Sequence, residues 1–103
     1  MNNIDKIDLI TQKPDGTIVL VMIEERSWDG SSSLLQYLQA RINSYLSFAL
    51  DGHLVRRFPS AEGKSVEIRL DCSEEPDLMS LSFIDKIRSK LNDFGVSLEV
   101  NVR

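Results

Sequence analysis

The sequence predicts an α+β fold, a two-layer sandwich in which two helices cover one face of a four- to five-stranded mixed sheet. Three observations predict it: a turn between two β-branched runs, two segments with apolar residues three or four apart, and two strictly alternating segments. The predicted order is ββα(β)βαβ, in which the strand in brackets is optional. The 103 residues suit a single domain spanning residues 1–103.

The first strand is predicted from Ile4 to Gln12, with Ile7, Leu9 and Thr11 on one face. The segment Lys13-Pro14-Asp15-Gly16 follows it. Proline presets φ for the second position of a turn, and glycine adopts a positive φ without steric cost. We therefore expect a tight turn and a hairpin with the next strand.

The second strand is predicted from Thr17 to Glu25. It is apolar on both faces from Ile18 to Ile23, which is typical of a central strand. One of its two apolar trios must point away from the helices. Unless another segment of the chain covers that trio, we expect a second copy of the protein to do so.

The first helix is predicted from Leu34 to Leu50, and Gly52 is a suitable stop. The second helix should open at Ser73-Glu74-Glu75-Pro76-Asp77, where acidic residues favour a helix start, and Gly95 should close it. The apolar stripes of the two helices are Leu35, Leu38, Ile42, Tyr45, Leu46 and Ala49 in the first, and Leu81, Ile84, Ile87, Leu91 and Phe94 in the second.

The segment from His53 to Ser65 is ambiguous, since Leu54, Val55 and Phe58 can form a short edge strand. Val66 to Cys72 and Val96 to Arg103 alternate cleanly, so together with the second helix they predict a right-handed βαβ unit. The predicted core comprises Leu38, Ile42, Ile68, Leu70, Ile84, Ile87, Leu91, Leu98 and Val100.

Composition narrows the classes of partner. The net charge is 12 − 16 = −4, which opposes a nucleic-acid backbone, so we expect no nucleic-acid partner. The longest apolar run is far shorter than the ~20 residues of a membrane span, and the N-terminus has no signal-peptide pattern, so we expect a cytoplasmic protein with no membrane partner. One cysteine excludes an intramolecular disulfide.

The loop Trp28-Asp29-Gly30-Ser31-Ser32-Ser33 is one candidate binding site. It joins a central strand to a helix N-terminus, where free backbone N–H groups can hold an anion. It lacks the glycine pattern of a nucleotide-binding loop. The alternative is helix capping by Asp29 or a serine, with Trp28 packed over the end of the helix.

His53, Arg56 and Arg57 form the second candidate binding group. His53 is the single histidine, and no Cys/His cluster supplies further metal ligands. The two arginines, with Lys64 near them, can hold a phosphate or an acidic partner, and the alternative is an exposed loop with ordinary charges. We identify no catalytic residue, no metal site and no cofactor.

Several segments together resemble a known family. They are Ile7-Asp8-Leu9-Ile10, Pro14-Asp15-Gly16, Trp28-Asp29, residues 38–48, Gly52-His53-Leu54 and Phe58-Pro59. In these the chain resembles a bacterial family of small uncharacterised proteins, a domain of unknown function, over nearly its whole length. The resemblance implies a bacterial cytoplasmic origin and attaches no catalytic role to any residue.

Two functions remain open at this point. The first is a non-enzymatic protein-interaction module, acting on a protein partner or on itself as a homodimer, since the later strands leave one sheet face polar. The alternative is a small-ligand or anion-binding protein, or an enzyme, that uses the 28–33 loop with His53 or Arg56.

Overall fold

The computed structural model describes residues 7–28 and 31–103, which form four strands, three helices and a 3-10 turn. The elements are β1 (Leu9–Gln12), β2 (Ile18–Glu24), α1 (Ser32–Leu50), α2 (His53–Arg57), the 3-10 turn (Pro59–Ala61), β3 (Val66–Cys72), α3 (Leu78–Asn92) and β4 (Val96–Val102).

The sheet has the order β1-β2-β3-β4. β1 pairs antiparallel with β2, whereas β2, β3 and β4 are parallel, with Leu20 opposite Ile68 and Ile68 opposite Leu98. The two long helices α1 and α3 contact each other, so they lie on the same face of the sheet. This confirms the predicted α+β fold with its mixed sheet.

The helix ends follow the capping chemistry that the sequence predicts. Ser31 precedes α1, and its hydroxyl accepts a hydrogen bond from the N–H of Leu34. Asp77 caps α3 by accepting from the N–H of Ser80. Gly52 follows α1 with a φ of 85°, in the left-handed region that favours glycine.

The ambiguous segment after α1 is helical. Leu54, Val55 and Phe58 do not form an edge strand, because the Phe58 N–H donates to the Leu54 carbonyl at 2.7 Å. Leu54 and Ala61 are buried in the core. The spacing of four residues between Leu54 and Phe58 is therefore helical, and the optional strand is absent from this segment.

Leu9 and Thr11 share one face of β1, as predicted, and that face is the one away from the helices. Leu9 is 52% exposed, whereas Ile10 packs against the core. The register explains the difference, because Ile10 pairs with Leu20, a fully buried residue on the helix-covered face. Ile7 is buried but precedes the strand, and the predicted strand residues 4–6 lie outside the described residues.

The core lies between the helices and the sheet. Every predicted core residue is buried except Val100, which is partly buried against the core cluster. Phe94 was predicted in the apolar stripe of α3, but it is 57% exposed. Because α3 ends at Asn92, Phe94 lies in the following turn and no longer follows the helical period.

The second face of β2 is already covered within one chain. Val19 and Val21 are each 1% exposed, although their face carries neither α1 nor α3. They lie between Thr11 and Leu9 on β1 and Glu67 and Arg69 on β3. Two members of the trio that led us to expect a homodimer are therefore buried within one chain, and the third, Ile23, is partly buried.

Candidate functional site

The residues of the two predicted binding groups lie at opposite ends of α1. Trp28, Ser31 and Ser32 adjoin its N-terminus, whereas His53 and the two arginines, Arg56 and Arg57, belong to α2 beyond its C-terminus. A helix of 19 residues is about 28 Å long at 1.5 Å per residue. The structure therefore does not bring the two groups together around one small ligand, and Asp29 lies outside the described residues.

The first group lies at the carboxyl edge of the parallel strands, where open α/β sheets commonly bind ligands. A cleft of about 450 Å³ opens there. Its described lining comprises Arg26, Ser27, Ser31, Ser33, Leu34 and Tyr37.

Arg26 dominates the charge of this cleft, but it is already paired. Its guanidinium donates to the carboxylate of Glu24 at 2.6 and 2.9 Å and lies 4.5 Å from the centre of the Tyr37 ring. Burial raises the pKa of Glu24, but the hydrogen bonds and charge of Arg26 outweigh burial and hold that pKa below its ordinary value. Glu24 is therefore ionised at neutral pH and neutralises much of the Arg26 charge.

The β2–α1 loop is attached to the loop before α3. The Ser27 hydroxyl donates to the carboxylate of Glu74 at 2.7 Å, and the Trp28 indole N–H donates to the Glu74 carbonyl at 3.0 Å. Trp28 is partly buried against the core. Both residues therefore hold two loops together, and Ser31 acts as the helix cap.

A buried polar network, which sequence reasoning missed, closes the β2 edge beside β1. The β2 residues with even numbers direct their backbone groups to β3, as the bonds of Ile18 and Glu24 show. The odd-numbered residues therefore point toward β1. β1 begins opposite Val21, so it does not reach Ile23.

Side chains take the place of the missing strand residues. The Asp8 carboxylate accepts from the Ile23 N–H at 3.0 Å, and the Arg41 guanidinium donates to the Ile23 carbonyl at 3.1 Å. The Tyr45 hydroxyl donates to the Val21 carbonyl at 3.1 Å and accepts from the Asp8 N–H at 3.1 Å. This network satisfies the backbone of β2, and its role is structural.

The second group lies around a separate cleft of about 440 Å³. His53 stacks on Phe48 with the ring centres 6.3 Å apart, and its Nδ1 accepts from Arg56 at 2.7 Å. Arg57 is exposed on the same short helix. The described lining of the cleft comprises Asn43, Ser44, Ser47, Phe48, Asp51 and His53.

Cys72 has no access to this histidine. It ends β3 at the carboxyl edge, whereas His53 follows the far end of α1. Burial, together with the charges of Glu24 and Asp71, raises the pKa of the Cys72 thiol to about 11. The thiol is therefore protonated at neutral pH, and a Cys/His nucleophile pair is absent from the described residues.

An apolar strip follows the outer edge of β4. Leu78, Leu81, Asp85 and Arg88 are three or four residues apart, so they share one side of α3. On this side Arg88 donates through Nε to the Leu98 carbonyl at 3.0 Å and forms an ion pair with Asp85.

The apolar residues Leu78 and Leu81 at the start of α3 lie next to the carboxyl end of β4. Leu78 precedes Arg88 by about 15 Å of helix, and Val102 follows Leu98 by about 13 Å of strand. The helix and the strand run in opposite directions, so Leu78 lies level with Val102. We call Leu78, Leu81, Val100 and Val102 the β4 strip.

Two further properties concern the described residues alone. None of the described helices combines the length and apolar character that crossing a membrane requires. No cluster of three or more His, Cys, Asp or Glu side chains within residues 7–28 and 31–103 has the geometry to hold a metal ion.

Comparison with known proteins places the chain in a family. No curated protein and no solved structure matches it significantly. A family model, by contrast, matches residues 1–103, and this confirms the resemblance to a domain of unknown function. The chain belongs over its whole length to DUF6572, a family of unknown function.

Proposed function

We propose that the protein is a non-enzymatic protein-interaction module that binds protein through the β4 strip, with a second copy of the chain as its partner. The observation that supports it is the exposure of apolar side chains beside the edge of β4, which pairs with no other strand among the described residues. Leu78 is 86% exposed and Val102 is 46% exposed. An edge of this kind is a template for pairing with another strand.

The two edges of the sheet differ in a way that favours β4. β1 has four residues, and the side chains of Asp8 and Arg41 close the part of β2 that it leaves uncovered. β4 has seven residues. Among its outward carbonyl groups, that of Leu98 accepts a hydrogen bond from the Arg88 side chain. The longer and less protected edge is therefore the one that carries the apolar strip.

Three described side chains capable of chemistry are engaged in structural contacts, and this also supports a binding role. Glu24 is paired with Arg26 and Asp8 with Arg41, and the Cys72 thiol is buried with a raised pKa. A buried, reduced cysteine suits the cytoplasm, where we place the protein as part of this proposal.

Sedimentation of the purified chain over a range of concentrations tests the proposal. We expect a dimer at high concentration, and we expect Leu78→Asp to raise the dimer dissociation constant at least about tenfold. Aspartate is favourable in the first turn of a helix, so this variant should still fold. Ser89→Asp adds the same charge at an exposed position of α3 and should leave association unchanged. A single-chain mass at every concentration would refute the proposal.

The cleft beside Arg26 supports a second candidate, the binding of a small anion. The cleft combines a guanidinium, an aromatic ring and three serines at a carboxyl edge. It ranks second because an anion must compete with Glu24 for Arg26. Titration with inorganic phosphate should then raise the melting temperature of the wild type but not of Arg26→Gln, and no shift in the wild type would exclude phosphate as a ligand.

A further inference from the structure

We propose that two copies pair through β4 in a single antiparallel register, centred on Asn101, in which Val100 faces Val102 of the second copy and Glu99 faces Arg103 of the second copy. This inference rests on the proposed function, because it specifies the contact that the β4 strip makes. It follows from which backbone groups are free and from the pattern of charges along the strand.

The free backbone groups of β4 belong to alternate residues. The Arg103 N–H donates to the Cys72 carbonyl at 2.9 Å, so residues with odd numbers direct their backbone groups to β3 and those with even numbers direct them outward. The Leu98 carbonyl receives Arg88. At the carboxyl end of the strand, Val100 and Val102 therefore offer N–H and carbonyl groups that are free among the described residues.

A two-fold axis through Asn101 uses these groups alone. Val100 of one copy and Val102 of the other form a hydrogen-bonded pair that exchanges two backbone hydrogen bonds. The two-fold symmetry generates a second such pair, so the contact gains four backbone hydrogen bonds. A register centred on Val100 or on Glu99 needs the Leu98 carbonyl, which Arg88 occupies. The register centred on Glu99 also places two glutamates opposite each other, which is unfavourable.

The open face of the sheet supplies complementary charges in this register. Glu99, Asn101 and Arg103 lie on that face, and Glu99 forms no ion pair with any described residue. The Arg103 guanidinium makes a long contact, 3.4 Å, to the Ser73 hydroxyl. Pairing therefore creates two Glu99–Arg103 ion pairs between copies.

The helix-covered face supplies the apolar part of the contact. Val100 and Val102 point to this face, and Leu78 and Leu81 lie along the same edge. Because the copies overlap at the carboxyl ends of their β4 strands, the start of each α3 approaches the start of the other. The exposed Leu78 side chains are then covered by apolar groups of the second copy.

A disulfide across the two-fold axis tests the register. In a non-hydrogen-bonded antiparallel pair the Cα atoms are about 4.5 Å apart, which a disulfide can span. We expect Asn101→Cys to form a covalent dimer under mild oxidation. Ser97→Cys, on the same face of β4, should not, because its two copies would be about 27 Å apart along the strands. Cys72 should stay unreacted, since it is buried.

Charge exchange tests the ion pairs. Glu99→Arg alone and Arg103→Glu alone should each raise the dimer dissociation constant about tenfold or more, because each sets like charges opposite. The double variant Glu99→Arg with Arg103→Glu should restore the wild-type value. Ser97→Arg adds a charge on the same face and should change it little. Far-UV circular dichroism checks that each variant folds.

The outcomes separate this inference from the proposed function. The register is wrong if the dimer forms no disulfide in Asn101→Cys, or if the double charge exchange does not restore dimer affinity. In that case the β4 strip remains the contact surface, provided that Leu78→Asp weakens the dimer. A monomeric wild type overturns both. A disulfide at residue 101 together with charge rescue supports the register.

Discussion

The guanidinium of Arg41 and the carboxylate of Asp8 lie 2.7 Å apart, and both bind the backbone of the same residue, Ile23. The ion pair thus occupies the position at which a longer first strand would pair with β2. The Arg41 side chain is 7% exposed and that of Asp8 is 27% exposed, so the guanidinium is buried whereas the carboxylate keeps some contact with water. This burial makes the network sensitive to the loss of either member.

Removing Arg41 should therefore destabilise the protein strongly. Arg41→Ala leaves the Ile23 carbonyl without its donor and the partly buried Asp8 carboxylate without its cation, with the Ile23 N–H as its remaining partner. We therefore expect the free energy of unfolding to fall by about 3 kcal/mol. Arg57→Ala removes the same side chain at an exposed position and should cost less than about 0.5 kcal/mol. Urea unfolding measures both, and equal effects of the two substitutions would contradict the structural role of Arg41.

The Tyr45 hydroxyl should contribute separately from its ring. Tyr45→Phe keeps the buried ring but leaves the Asp8 N–H without its acceptor and removes one hydrogen bond to the Val21 carbonyl, so a loss of about 1–3 kcal/mol is expected. Tyr37 has no hydroxyl hydrogen bond to the described residues, and Tyr37→Phe should change stability by less than about 0.5 kcal/mol. Thermal and urea unfolding of the two variants provide the comparison, and a neutral Tyr45→Phe would argue against the network.

Truncation to alanine should lower the free energy of unfolding more in the core than in the turn after α3. Leu38 and Ile84 are each 1% exposed, so Leu38→Ala and Ile84→Ala should each cost about 2–5 kcal/mol. Phe94→Ala removes a larger side chain that is 57% exposed, and we expect a cost below about 1 kcal/mol. Chemical denaturation tests this order, and a larger loss at Phe94 than at Ile84 would show that the turn packs more tightly than the structure indicates.

The Cys72 thiol should give stability a dependence on alkaline pH. Its pKa is raised from 9.0 to about 11 in the folded state, so between these values the folded protein binds more protons than the unfolded chain. The thiol's contribution is complete below pH 9 and is lost as the pH rises through 11.

We therefore expect the stability of the wild type, measured relative to Cys72→Ala, to fall across that interval. The subtraction matters because burial also raises the pKa of Tyr45, and that contribution is common to both proteins. Urea unfolding at several pH values makes the measurement. A difference that does not change with pH would show that the thiol has the same pKa in both states.

Local patterns predicted most of the fold because the relevant physics is local. The alternation from Val66 to Cys72 and the spacing of Leu38 and Ile42 depend on neighbours within two to four residues, and the structure confirms the strand and the helix. Alternation did not predict which face of the first strand meets the helices, because that depends on pairing with Leu20, a distant residue. The segment after α1 was ambiguous because a five-residue helix is too short to show a recognisable helical spacing of apolar residues.

The sites were less predictable from sequence. Ser31 caps α1, in line with the alternative of capping by Asp29 or a serine. The distance between the Trp28 loop and His53 became evident only with the length and direction of α1. The Asp8, Arg41 and Tyr45 network had one sequence signal, a charged residue beside the buried stripe of α1, four positions before Tyr45. Its partners lie on other elements, so their meeting could not be derived from spacing.

The closure of β2 by side chains ties two distant parts of the chain into one cooperative unit. The Ile23 amide is held by a carboxylate that is itself held by a residue of α1. Its exchange with solvent deuterium therefore requires that the Asp8 carboxylate, which Arg41 of α1 also holds, moves away from Ile23, rather than that neighbouring strands part. Contacts between residues 33 to 37 positions apart also close large loops, which is entropically costly early in folding. This corner of the sheet should thus be completed only after α1 has docked, and the Ile23 amide is a natural reporter of that event.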